Sequence, residues 1–355
     1  MKLVAALTAA TLLATAGVAS AAPARQGAVQ EIIDQLTKSG GALGIQARIN
    51  GRDTVRSGVA ELGSRKPVPH NGTFRIGSVT KPFVSTVVLQ LAGEGRLELD
   101  APVSRHLPGL VDDRITVRQL LQHTSGLYNY TDALPLDPAG FPSVRFKTWA
   151  PQELLAVSTS KPLDFEPGTQ WSYSNTNYVV AGLLVEKITG RPFQQAVEQR
   201  ILKPLRLNDT VLPRNSVEVP GPHAHGYYPD ASGKPVDVTR LNPSWGWAAG
   251  EMISTTRDLD TFLTALLAGK LLKPLQQKEL TKTSAVSPDY GLGLAVASLS
   301  CGTTVYGHDG QIHGYGTMMV GTPTGNKRLE LSLTEAADGA SPGDGYRRLL
   351  DQVFC

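Results

Sequence analysis

Ser78-Val79-Thr80-Lys81 sets a hydroxyl and an amine three positions apart at the entrance to an apolar, helically periodic stretch. On a helix that spacing puts both side chains on one face, with the serine at the N-terminal end. The chemistry open to such a pair is nucleophilic acyl transfer. A serine hydroxyl is a weak nucleophile alone, a neighbouring amine of lowered pKa can take its proton, and free helix N–H groups favour the negative charge that develops. Ser-x-x-Lys by itself also marks ordinary helix starts. Two further groups bear on the choice: Tyr173-Ser174-Asn175, between a Pro167-Gly168 turn and a helix, and His308-Asp309-Gly310, between two predicted strands. Singly, Tyr173 suits a half-buried aromatic, Asn175 a helix cap and His308 a polar strand end. Jointly they bring a nucleophile, titratable partners and backbone donors from separate segments onto one acyl carbon.

In chain order the groups read Ser-x-x-Lys, Tyr-x-Asn, His-x-Gly. That order resembles the penicillin-recognising serine hydrolases, in the branch holding class C β-lactamases and exported D-alanyl-D-alanine carboxypeptidases. Similar to this branch too are Phe74-Arg75-Ile76-Gly77-Ser78, Leu121-Gln122-His123-Thr124-Ser125-Gly126-Leu127, Trp171-Ser172-Tyr173-Ser174-Asn175, Ala249-Gly250 and Tyr290-Gly291-Leu292-Gly293. The likeness runs across nearly all of the chain after its first residues. It implies an α+β fold of the β-lactamase/transpeptidase type and no cofactor. By the same likeness Ser78 would be acylated, Lys81 would ease removal of its proton, and Tyr173 would relay a proton to the leaving group. Whether Lys81 or Tyr173 is the base stays open at this point. Asn175 would hold the substrate amide and His308 would add electrostatics from the facing strand, beside Asp309 and Gly310. Backbone N–H groups of Ser78 and Gln311 would form an oxyanion hole. Trp245 and Trp247 line the cleft or pack as core aromatics.

Substrate recognition departs from that pattern. Carboxypeptidases of this kind commonly place an arginine on the strand leading to His-x-Gly and hydroxyl residues on the strand itself. Here the first strand reads Leu294-Ala295-Val296-Ala297-Ser298-Leu299, and Asp309 and Gln311 stand where hydroxyls are expected. A carboxylate beside Asp309 is repelled, so an amide, an ester or an amine-bearing D-amino acid fits at least as well. The leading expectation is a D-alanyl-D-alanine carboxypeptidase or D-amino-acid peptidase of cell-wall peptides. A β-lactamase or carboxylesterase on the same scaffold comes next, and a non-catalytic penicillin-binding protein last, because Lys81 and Tyr173 are both retained.

Positioning these groups requires a particular set of elements. Apolar spacing predicts helices over 29–38, 82–92, 177–188 and 256–267, each followed by glycine, and Thr116-Val117-Arg118-Gln119 is a capping box. Strands are predicted at 42–49 and 54–59 around Asn50-Gly51, then at 291–299, 303–307, 315–320 and 328–333, with a last helix over 346–354. Strands at both ends of the chain imply one antiparallel sheet flanked by helices, built from 22–100 and 248–355. The Pro- and Gly-rich stretch 101–247 forms a mostly helical inserted lobe. A cleft between the lobes is the expected place for a pocket.

Bulk properties bound the remaining functions. Residues 1–21 have the charged, apolar and small-residue order of a secretory signal peptide, which predicts a secreted protein without stable membrane insertion. A formal charge of +3 with no basic, aromatic-interleaved cluster excludes a nucleic-acid partner. The cysteines, Cys301 and Cys355, are expected to form one disulfide. His223 and His225 lack a third ligand at metal spacing and are assigned to a loop, and His123 to satisfying loop backbone. The expected partners are peptide, amide or β-lactam small molecules, met by a monomer.

Overall fold

The protein is described by a computed structural model covering residues 21–335 and 344–355. The signal-peptide expectation falls on residues 1–21, all of which except Ala21 lie outside the described residues. Among the described residues ten strands occur in chain order: β1 (Gly44–Ile49), β2 (Asp53–Gly58), β3 (Phe74–Arg75), β4 (Tyr227–Pro229), β5 (Pro235–Asp237), β6 (Ile253–Ser254), β7 (Ala295–Ser298), β8 (Thr304–Ile312), β9 (Tyr315–Gly321) and β10 (Arg328–Thr334). Six of them make one antiparallel sheet in the order β2-β1-β10-β9-β8-β7. The first strands therefore pair directly with the last, Ile45 opposite Leu333 and Ile49 opposite Leu329. The fold is α+β, as the sequence predicts.

Alternation along the strands explains what covers each face of the sheet. Ile45, Ala47, Leu329, Leu331 and Leu333 turn to one side and pack with Ile33 of the helix Ala21–Lys38 and with Leu349 and Val353 of the helix Asp344–Phe354. A bridge between Cys301 and Cys355 ties the end of that last helix to the β7–β8 turn. On the opposite side lies the largest apolar cluster, which joins Met319 to the helices Thr80–Gly93 and Thr256–Leu267; Phe83 and Phe262 stack there at 3.7 Å. Thr80–Gly93 is buried on nearly all sides because helices from 101–247 close over its other flank, Leu120, Tyr178 and Leu184 sharing the same core. Burying each such apolar side chain stabilises the fold by roughly 1.5–3 kcal/mol, so the site-bearing helix is held from every direction.

The predicted helices are present, their ends within two residues of expectation except for the first, which starts at Ala21 instead of 29, and Thr116 and Gln119 form the capping box. The final strands differ more. β7 is confined to Ala295–Ser298, while β8 runs on through His308-Asp309-Gly310 to Ile312. Gly307 ends the predicted strand 303–307 and Gly310 falls in the gap before the next, yet neither glycine interrupts the observed strand. They are demanded by contact instead: a Cβ on Gly307 would sit 2.1 Å from the Met319 carbonyl oxygen, and one on Gly310 would sit 2.0 Å from that of Ile76. Just ahead of Ser78, the fully buried Arg75 guanidinium donates to the carbonyls of Val217, Thr239 and Leu241. That pins residues 217–241 to the strand which delivers the serine.

Candidate active site

Ser78 lies on a short 3₁₀ turn, Gly77–Val79, that leads into the helix Thr80–Gly93. The turn depends on Gly77, whose φ of 50° is left-handed and whose missing Cβ leaves room for β8. A Cβ there would lie 2.8 Å from the amide nitrogen of Gln311, and one on Gly310 would lie 3.1 Å from the amide nitrogen of Ser78. The two amides expected to face an oxyanion are thus brought to either side of one glycine–glycine contact.

Lys81 is fully buried, and its Nζ has three neighbours: Ser78 Oγ at 2.9 Å, Asn175 Oδ1 at 2.8 Å and the Ala249 carbonyl at 2.8 Å. An ammonium would donate to all of them. A neutral amine fits equally well, its two N–H groups donating to Asn175 and Ala249 while its lone pair accepts from the Ser78 hydroxyl. Burial pulls the amine well below its ordinary range, and the charge of Asp309 offsets only part of this. Asn175 is fixed in turn, since its backbone N–H donates to Asn129 Oδ1 at 2.9 Å and its Nδ2 to Thr131 Oγ1 at 3.3 Å.

The Tyr173 ring stands 4.8 Å from Lys81 Nζ. Its hydroxyl is buried without a hydrogen-bond partner of good geometry among the described residues, although Ser78 is close enough to favour the phenolate slightly. Burial dominates and raises the phenol well above its ordinary value, so it stays protonated. His123 clamps this tyrosine. Its ring stacks on Tyr173 at 4.3 Å, its Nδ1 accepts from the Ser174 N–H at 3.2 Å, and its carbonyl accepts from the Ser172 N–H at 3.0 Å. The loop-satisfying role expected of His123 thus falls on the residues flanking Tyr173.

His308, 3% exposed, is committed at both ring nitrogens. Nδ1 donates to the Asp309 carbonyl, which leaves Nε2 to accept from the Tyr290 hydroxyl at 2.8 Å. Burial and the neighbouring Lys81 hold the imidazole neutral. His308 and Tyr173 also wall a cleft of about 340 Å³, together with Trp171, Tyr290 and Pro288, and Asp289 and Asp309 stand at its rim. Among the described residues no lysine or arginine lines it, and the Asp309 side chain is 89% exposed.

Trp245 does not wall this cleft. It is 8% exposed, takes a hydrogen bond from Tyr130 on its carbonyl and packs edge-on against His313 at 5.4 Å, the core-aromatic alternative. His223 and His225 engage the Gly221 carbonyl and Asp237, respectively. Sequence reasoning left out Trp171, Tyr290 and Asp289 as cleft residues, although the first two stand inside quoted motifs. Nothing in the sequence marked the Ala249 carbonyl, because a backbone contact across 168 positions is a product of packing.

The sequence profile of the family described as Beta-lactamase matches residues 29–348. This chain belongs to the β-lactamase family. It is therefore an enzyme of the serine-hydrolase type on the β-lactamase and penicillin-binding-protein fold. A D-stereospecific amidohydrolase from Streptomyces sp. superposes with a TM-score of 0.85 at 41% identity, covering 93% of this chain and 98% of that one. A D-amino acid amidase from Ochrobactrum anthropi SV3, solved with L-phenylalanine amide, gives a TM-score of 0.81 at 28% identity over 93% and 98%. Among curated proteins, Penicillin-binding protein 4* of Bacillus subtilis is 29% identical over 74% of this chain, and Esterase EstB of Burkholderia gladioli 34% identical over 52%. The chain spans 61% and 56% of those two relatives' own lengths. Among the described residues, no helix of this β-lactamase-family protein is long and apolar enough to cross a membrane.

Proposed function

We propose that this protein hydrolyses amides and short peptides of D-amino acids bearing a free amino group, through an acyl-enzyme on Ser78. The observation that carries the reading is the cleft beside Tyr173 and His308. Its aromatic walls suit an apolar side chain, its rim carboxylates suit an ammonium, and it offers no cation to a substrate carboxylate. The D configuration rests on the similarity to the Streptomyces amidohydrolase and the Ochrobactrum amidase. The carboxypeptidase expectation ranks below this reading because the strand Ala295–Ser298, where it calls for an arginine, carries none.

In the proposed reaction neutral Lys81 takes the proton of Ser78 Oγ as that oxygen attacks the amide carbon. The N–H groups of Ser78 and Gln311 receive the oxyanion, a contribution worth about 3–4 kcal/mol per donor in related chemistry. The protonated Tyr173 hydroxyl passes its proton to the departing nitrogen and is reprotonated from Lys81. Water then attacks the ester, and its proton returns along the same groups to Ser78. Burial supports this division, because it favours a neutral amine and an un-ionised phenol alike. The disulfide between Cys301 and Cys355 agrees with work in an oxidising compartment.

The test compares rates on D-phenylalanine amide, its N-acetyl derivative, L-phenylalanine amide, a D-alanyl-D-alanine peptide and a cephalosporin. The D-amide should be fastest, and N-acetylation should lower kcat/KM at least about tenfold by removing the ammonium. Faster cleavage of the carboxylate-ended peptide or of the cephalosporin would sink the amidase assignment.

A further inference from the structure

A second cleft, of about 400 Å³, opens between Trp149, Trp247, Gln194, Arg214 and Glu251, and it shares no lining residue with the cleft at Tyr173. Two of the residues lining it carry a buried polar atom without a partner among the described residues: Glu251 Oε2 and Trp149 Nε1. Glu251 is only 1% exposed, and its other oxygen already accepts from Gln194 Nε2 at 3.1 Å. An unmade buried hydrogen bond costs about 1–3 kcal/mol, so two unmatched polar groups on residues lining the same cleft point to something that fills it. A single water, at roughly 30 Å³, is far smaller than the space. The indole rings of Trp149 and Trp247 add apolar walls, and the Trp149 ring already draws one cation, Lys147 Nζ standing 3.4 Å from its centroid. The exposed Arg214 stands at the rim, where it can meet an anionic or carbonyl oxygen.

We propose that this cleft is a second ligand site, taking a small ammonium compound that also carries a hydrogen-bond acceptor, as a free α-amino acid does. The ammonium is held by Glu251 Oε2, and the carboxylate by the Trp149 N–H and Arg214. Burial lifts the Glu251 carboxyl to about 8 despite Arg214, so an arriving ammonium restores the ionised form that the empty site disfavours. The site does not depend on the acyl-transfer reading.

The experiment titrates D-alanine calorimetrically into Ser78→Ala, which removes the serine hydroxyl, and into the same chain carrying Glu251→Gln or Trp149→Phe. A saturable site in Ser78→Ala that weakens at least about tenfold in both double variants supports the proposal. Identical titrations in all of them overturn it. Crystals of Ser78→Ala soaked in D-alanine decide independently of how the double variants fold. An amino acid seated between Trp149 Nε1 and Glu251 Oε2 upholds the site, and water alone there refutes it.

Discussion

The imidazole of His123 lies nearly face to face with the phenol of Tyr173, centroids 4.3 Å apart and planes 29° from parallel, on a backbone whose φ is 60°. A left-handed residue other than glycine or asparagine is held at a cost, and here the return is the placement of Tyr173 from both chain directions. His123→Asn keeps a short side-chain acceptor and tolerates the backbone, yet loses the stack. It should lower kcat by roughly tenfold to a hundredfold while KM moves little, as expected of a displaced proton relay. Steady-state kinetics beside a melting curve check this. A loss of stability with kcat intact would reduce His123 to scaffold.

The Lys81 amine is drawn below its ordinary range by burial and partly restored by Asp309. A base with a lowered pKa is neutral above that pKa and protonated below it. Thus kcat/KM should rise with pH through an acid limb set by Lys81 and then level. In Asp309→Asn the restoring charge is absent, so the limb should move to lower pH, and kcat/KM for an ammonium-bearing amide should fall. A limb that shifts upward in the pH–rate profile would contradict the assignment of the base.

Gly310 faces the Ile76 carbonyl so closely that Gly310→Ala must push β8 away from the Ser78 turn. Moving the Gln311 amide by even a fraction of an ångström weakens one oxyanion donor. The expected loss in kcat is roughly a hundredfold or more, with the far-ultraviolet circular dichroism spectrum retained. Wild-type turnover in Gly310→Ala would remove Gln311 from the oxyanion hole.

Burial pushes the Glu251 carboxyl up to about 8 from its ordinary 4.5. A raised carboxyl pKa means that the unfolded chain has lost this proton while the folded chain still holds it. The penalty is therefore absent below about 4.5, grows as pH rises and levels off above about 8. Glu251→Gln should match wild type in acid and exceed it by about 1–3 kcal/mol at pH 8–9 in urea unfolding. An equal difference at every pH would exclude titration as the cause.

Much of this arrangement was legible in the sequence. Apolar spacing marked the helices Thr80–Gly93 and Thr256–Leu267, and the order of Ser78, Lys81, Tyr173 and Asn175 along the chain anticipated groups that meet around one amine. What escaped was decided by packing. The strand was expected to stop at Gly307 because the reason for Gly307 and Gly310, contact with Met319 and Ile76, appears only once β9 and the Ser78 turn are in place. Trp245 and Trp171 are alike as residue types, yet one is drawn into the core by Tyr130 and His313 while the other walls the cleft.

The central claim is an acyl-enzyme on Ser78 formed from a D-aminoacyl amide. Intact-mass spectrometry of the protein quenched in acid during turnover of D-phenylalanine amide reads it directly. A mass increase matching one phenylalanyl group, mapped to the peptide containing Ser78 and absent in Ser78→Ala, is the predicted result. Turnover of the amide by Ser78→Ala at the wild-type rate, or an adduct on a different residue, would contradict it.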